Sequence, residues 1–173
     1  VRTSAAYVVI KGLMLTTFGG YGVESAGPRT RMVGVHIHAC GSAGVALLES
    51  AVGAVIGDPT QGERGRVVLT ANQGGIYTSA SLTKVANVYC GVAADGRQAA
   101  GNINHGIHIE SNADGTMVGD AAAGRDGLVV SSGNGNQGIQ CEASGTTIVN
   151  TYAGVGADGA TPPVGAEAAP TFP

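Results

Sequence analysis

Four histidines, three cysteines and a few carboxylates are the residues of this chain whose types could do chemistry, and their spacing decides which chemistry. His36 and His38 stand at i and i+2, which on a strand puts both imidazoles on one face, as in a two-histidine metal chelate. No third ligand lies near them in sequence, so they read as exposed strand residues. His105 and His108, beside a strand start, carry no stronger signal. A polysaccharide-cleaving site would need two or three carboxylates on one face, often with an Arg or Lys. The candidates are Asp58, Asp95, Asp120, Asp126 and Asp158, with Arg125. Asp58 and Asp120 occupy equivalent positions of an internal repeat, however, as do Asp95 and Asp158. Catalysis needs a unique constellation, whereas turn residues recur. Those four are therefore assigned to turns or ladders, and no catalytic residue is assigned; Asp95-Gly96 and Asp158-Gly159 are turn dipeptides in their own right.

Cys40, Cys90 and Cys141 lie far apart without CxxC spacing, which argues against zinc. They form either one disulfide with a thiol left over or, the favoured reading, thiols packed as small apolar groups. The glycine-aspartate nonapeptide of calcium-binding β-rolls is absent, and Gly133-Asn134-Gly135-Asn136 follows a strand without opening a helix, so it is a loop and not a phosphate cradle. No metal and no cofactor is expected.

The elements that must position these residues are short. The chain has 173 residues, of which 30 are glycine, 12% charged and 4% aromatic, with no tryptophan. Such glycine content could mean disorder, but 43% hydrophobic residues argue for many short strands and frequent turns. Nine scattered Lys and Arg in a net charge of −3 supply no nucleic-acid groove. Apolar stretches are interrupted too often to span a membrane, so no membrane insertion is expected. No charged-then-apolar signal segment opens the chain, and Val1 leads directly into a strand-like run, which suggests a start inside a larger protein.

A repeat organises the chain. Gly44–Gly74 aligns with Gly106–Asn136, matching Gly57-Asp58 with Gly119-Asp120, Val67-Val68 with Val129-Val130 and Asn72 with Asn134. After one inserted residue, Gln137, the alignment pairs Gly75-Ile76 with Gly138-Ile139, Asn87 with Asn150, Tyr89 with Tyr152 and Asp95-Gly96 with Asp158-Gly159. About a third of roughly 62 positions are identical, and each unit divides into two coils of about 31 residues. Upstream, Gly22–His38 forms a shorter coil of about 22 residues, and Val8–Met14 reads as the second strand of a coil whose beginning is missing. Runs of three to six β-branched residues bounded by Gly, Asn or Asp are strands, and in Val33–Ile37 the residues Val33, Val35 and Ile37 alternate with Gly34 and His36. No such coil buries its inner face alone, so coils must stack. The predicted fold is all-β: a right-handed parallel β-helix of about five coils with three short strands each, over residues 1–160. Its double-coil repeats lie at 44–105 and 106–168, after the shorter coils. Residues 161–173 read as a Pro/Ala-rich tail, linker or strap whose Thr/Pro content suits O-glycosylation; no N-x-[ST] acceptor occurs. Asn87 and Asn150 read as turn asparagines whose amides bond the backbone of an adjacent coil.

The G-[IV]-x-[IL] … T-x-[VI]-x-N-x-Y-x-G-V-x-x-D-G pattern resembles the right-handed parallel β-helix of the pectin-lyase-like superfamily. Its double-coil cadence is similar to large secreted repeat proteins of microbial and algal surfaces, including mastigonemes. The resemblance, together with the periodic sequence and the absence of a singular polar cluster, implies a non-enzymatic structural module. It would belong to an extracellular filament, sheath or surface appendage, and assemble with itself or homologous subunits by coil stacking or lateral packing, with glycans as further partners. The alternative is a carbohydrate-active or carbohydrate-binding β-helix: a lyase, an epimerase or a phage tailspike.

Overall fold

The computed structural model describes residues 1–166 and shows six coils of three short parallel strands. In chain order the coils are β1 (Arg2–Thr3), β2 (Val9–Lys11), β3 (Met14–Thr16); β4 (Val23–Ser25), β5 (Arg31–Val33), β6 (His36–His38); β7 (Ala43–Leu47), β8 (Val55–Ile56), β9 (Val67–Thr70); β10 (Gly74–Thr78), β11 (Lys84–Val85), β12 (Val88–Cys90); β13 (Ile107–Ile109), β14 (Met117–Val118), β15 (Val129–Ser131); and β16 (Ile139–Cys141), β17 (Thr147–Ile148), β18 (Thr151–Ala153). The first strands of all coils make sheet A, the second strands sheet B and the third strands sheet C, each six-stranded and parallel. The chain is a parallel β-helix.

The coil count is six where the sequence predicts about five. The missing beginning assigned to the first coil is corrected too: Arg2 and Thr3 pair with Glu24 and Ser25 and supply that strand. A two-residue strand shows no alternation, which is why the sequence pattern passes over it. Of the run Val33–Ile37, Val35 and Ile37 face the core as the alternation predicts, but Val33 follows the inward Met32 on β5 and is buried outside that core, because the chain turns a corner at Gly34 between β5 and β6.

Register stacks like on like. Val23, Val45, Ile76, Ile107 and Ile139 form one inward column of sheet A, and Ile10, Met32, Ile56, Val85 and Val118 one of sheet B. These columns are the core, and each fully buried aliphatic side chain is worth roughly 1.5–3 kcal/mol. Backbone groups of each strand are satisfied by the neighbouring coils. At the A-to-B corner, hydroxyl pairs Ser25–Thr30 (2.7 Å) and Thr78–Thr83 (3.2 Å) close the turn.

Coil length explains the double unit. The step across sheet A is 22 residues from Glu24 to Ala46 and 31 from Ala46 to Tyr77. The third and fifth coils spend their extra residues at the B-to-C corner, in the 3-10 turns Pro59–Gly65 and Gly124–Gly127. The fourth coil spends them after sheet C, around Asp95-Gly96, and the sixth has the matching turn at Asp158-Gly159. Gly57 and Gly119 start the B-to-C excursions at φ +83°, and a Cβ there would stand 1.8 Å from Ala86 O and 1.7 Å from Val149 O. Only glycine fits against the next coil at these two points.

Candidate functional site

The outward column of sheet A is the most chemically varied surface. Tyr77 (β10), His108 (β13) and Gln140 (β16) stand in register on successive coils. The Tyr77 and His108 rings meet edge-on at 5.6 Å and 81°, and His105 lies 5.3 Å from His108. His108 Nε2 is 3.3 Å from Glu142 Oε1, which also accepts from Gln140 Nε2 at 2.6 Å. Toward the third coil the floor drops to Ala43 and Gly74, and Tyr21, Ser42, Gln73 and Asn104 complete an open cleft of about 250 Å³. His105 Nδ1 is buried there without a hydrogen-bond partner among the described residues. Burial, then the neighbouring Glu110, pushes the Tyr77 hydroxyl up to about 12, so it stays a neutral donor. No Lys or Arg lines the cleft. Aromatic faces for stacking, amides, a hydroxyl and an unpaired imidazole nitrogen suit an uncharged polar ligand, and His108, which lines the cleft, also contacts the Glu142 carboxylate.

Sequence reasoning passes over Tyr21, Tyr77, Glu110 and Glu142, because none of them recurs with the repeat. The signal that finds them is the register itself: once coils step by 31 or 32 residues, Tyr77, His108 and Gln140 fall in line.

The structure places the recurring polar residues elsewhere, at corners and turns, and brings them together only as the corner pairs Asp58–Asn87 and Asp120–Asn150. Asp58 caps Pro59–Gly65, accepting from Thr60 N (2.9 Å), Thr60 Oγ1 (2.6 Å), Gln61 Nε2 (2.7 Å) and Arg31 (2.7 Å). Burial opposes its charge, but these hydrogen bonds and the guanidinium prevail and hold its pKa below the ordinary value. Asp120 accepts from Ala122 N and Ala123 N at the equivalent corner. Asp95 accepts from Arg97 N and Gln98 N, which lower its pKa; Asp158 is held at about 2 by Thr161 Oγ1 and by the Ala160 and Thr161 amides. Asp126 and Arg125 belong to Gly124–Gly127, and Arg125 donates to Ala157 O.

Asn87 and Asn150 fill the B-to-C corner of the fourth and sixth coils at φ +57° and +44°, which asparagine tolerates. The Asn87 amide donates to Asp58 O (3.2 Å) and Gly62 O (2.6 Å), and that of Asn150 to Asp120 O (3.0 Å) and Gly124 O (2.6 Å). A second set forms a ladder at the C-to-A corner. Asn72 Oδ1 accepts from Cys40 N, Asn102 Oδ1 from Asn72 N and Asn134 Oδ1 from Asn102 N, at 2.9, 3.0 and 3.2 Å.

All three cysteines are free thiols: Cys40 and Cys90 are buried in the core, where burial pushes the Cys90 thiol up, and Cys141 is exposed. The disulfide alternative is therefore not realised here. On the outer face of sheet C, His36 Nε2 and His38 Nδ1 both meet Thr70 Oγ1, at 3.4 and 3.1 Å. Burial, then His38, lowers the His36 pKa. Farther along that face, Arg66 lies over the Tyr89 ring at 4.3 Å, and Tyr89 packs with Val68, Val92, Leu128, Val130 and Ala157 in a small second core. Thr161–Val164 lies beside the Asp95 excursion: Val164 N donates to Arg97 O and Val164 O accepts from Ala99 N. The tail assigned to 161–173 lies from residue 167 onward outside the described residues.

Among the described residues no three His, Cys, Asp or Glu side chains gather as a metal cluster, and no helix is long and apolar enough to cross a membrane. Comparison with protein-family models, curated proteins and solved structures finds no match.

Proposed function

We propose that the chain is a non-enzymatic structural module, a rod segment of an extracellular filament, sheath or surface appendage. It assembles with itself or with homologous subunits by coil stacking or lateral packing. One observation carries this reading: every recurring Asp and Asn is engaged in a turn or inter-coil hydrogen bond, so none remains to converge as a catalyst. The finer resemblance to the pectin-lyase-like superfamily and to mastigoneme-like repeat proteins belongs to the same proposal, as do O-glycans on residues 161–173. Negative-stain microscopy and sedimentation across a concentration series test it. Rods that lengthen with concentration, or filaments in native extracts, are expected; dispersed globular monomers under every condition contradict it.

A second reading is favoured by the sheet A cleft: a β-helix that binds or processes carbohydrate, as a lyase, an epimerase or a tailspike. Its support is the pairing of Tyr77 and His108 with the His108–Glu142 contact and the unpartnered His105 Nδ1. New unsaturated or reducing ends from a polysaccharide panel, lost in Glu142→Gln, would favour it over the structural reading. Light scattering that reports trimers would point to a tailspike.

A further inference from the structure

The register of sheet C supplies what the sequence does not show beside His36 and His38. Met14 pairs with His36 and Thr16 with His38 on one side; Val68 and Thr70 follow on the other. Met14 is 72% exposed and is the register neighbour of His36, so packing does not pin its thioether. Roots about 5 Å apart across the ladder and about 7 Å apart along the strand let these long side chains close on one point by rotamer choice. Thr70 Oγ1 meets one nitrogen of each ring, leaving His36 Nδ1 and His38 Nε2 without a protein partner among the described residues.

We propose that Met14, His36 and His38 bind a copper ion on the outer face of sheet C, through the thioether and one nitrogen of each imidazole. The Thr70 hydroxyl is the outer partner that fixes both rings, the usual support of a metal-bound histidine. The donor set selects the metal. A thioether is soft and suits Cu⁺, while paired imidazoles hold Cu²⁺ more strongly than the other divalent first-row ions. Zinc takes thiolate, imidazole and carboxylate ligands, and a thioether is not among them. Arg64 and Arg66 line the adjoining cleft with His36, but Arg66 is drawn over Tyr89 and Glu63 stands 3.8 Å from it, which lessens repulsion of a cation.

The test uses the full chain with Cys141→Ser, which removes the exposed thiol, and Cu²⁺ or Cu⁺ as the probe. The expected result is one Cu²⁺ per chain at micromolar or tighter affinity, with two imidazole nitrogens in the electron paramagnetic resonance spectrum. His36→Gln and His38→Gln should each weaken binding by at least about tenfold while the far-ultraviolet circular dichroism is unchanged. Met14→Leu should leave Cu²⁺ nearly unaffected but weaken Cu⁺, measured by competition with bicinchoninate, by about tenfold. Cu²⁺ affinity unchanged in both histidine variants, or a nitrogen signature lost in His105→Gln or His108→Gln instead, overturns the site. Unchanged Cu⁺ affinity in Met14→Leu overturns the three-ligand set.

Discussion

Asn102→Ala is the sharpest perturbation of the scaffold. Asn102 is 1% exposed, and its side chain makes four hydrogen bonds across coils. Oδ1 accepts from Asn72 N (3.0 Å) and Asn72 Nδ2 (3.1 Å), while Nδ2 donates to Leu69 O (3.1 Å) and Asn134 Oδ1 (2.9 Å). Truncation does not orphan all of these partners. Asn72 Nδ2 keeps Ile37 O, Leu69 O still accepts from Gly91 N, and Asn134 Oδ1 still accepts from Asn102 N. The Asn72 backbone N–H alone loses its partner, at about 1–3 kcal/mol, and the other three bonds add about 0.5 kcal/mol each at the low end of their range. The expected loss is therefore roughly 2.5–4.5 kcal/mol, a sizeable share of a small domain's total stability. Guanidinium denaturation followed by circular dichroism measures it, with Asn150→Gly as the comparison, since glycine carries no strain at φ +44°; that amide is half-buried, and its loss should cost under about 2 kcal/mol. If Asn102→Ala loses less than Asn150→Gly, the ladder does not hold the coils and the reasoning fails.

Asn87→Gly should be less destabilising than Asn87→Ala by about 1 kcal/mol in the same assay, because both lose the amide but only alanine is strained at φ +57°. Gly57→Ala should cost well over about 3 kcal/mol or prevent folding, whereas Gly124→Ala, with nothing within 4 Å of its Cβ, should cost only about 1 kcal/mol. For Asp58 the folded-state pKa lies below the ordinary 3.8, so its stabilisation is full above that value and is lost as pH falls through the folded one. Asp58→Asn should therefore be less stable than the parent at neutral pH, with the difference closing in acid; a constant gap across a pH series of unfolding curves would refute the carboxylate's role. A thiol reagent should label Cys141 alone in the native chain and Cys40 and Cys90 only after unfolding, read by mass spectrometry.

The repeat, the three-strand coil and the stacking were legible because Gly57-Asp58, Asn87 and Asp95-Gly96 recur in equivalent corners, and corners impose strict residue demands. What escaped had no repeat to mark it. Asn102 lies in the coil between Asn72 and Asn134, so a unit of two coils aligns those two with each other and leaves the middle rung unseen. Arg2–Thr3 is too short to alternate. The cleft around Tyr77 and the Met14 neighbour of His36 are products of register between coils of different lengths, 22 and 31 residues, which no local pattern encodes. Asp58 and Asp120 illustrate a further limit. Their alignment marks them as equivalent, yet only Asp58 gains an arginine, because Arg31 comes from a coil outside the repeat.

The central claim is that consecutive coils stack in register and are bound to one another by their recurring asparagines. Scalar couplings across hydrogen bonds, measured by nuclear magnetic resonance on the isotope-labelled chain, test it most directly. The account predicts couplings from the Cys40, Asn72 and Asn102 amide nitrogens to the side-chain carbonyl carbons of Asn72, Asn102 and Asn134, each one coil onward. Amides that exchange rapidly, or that couple to carbonyls within their own coil, would contradict it.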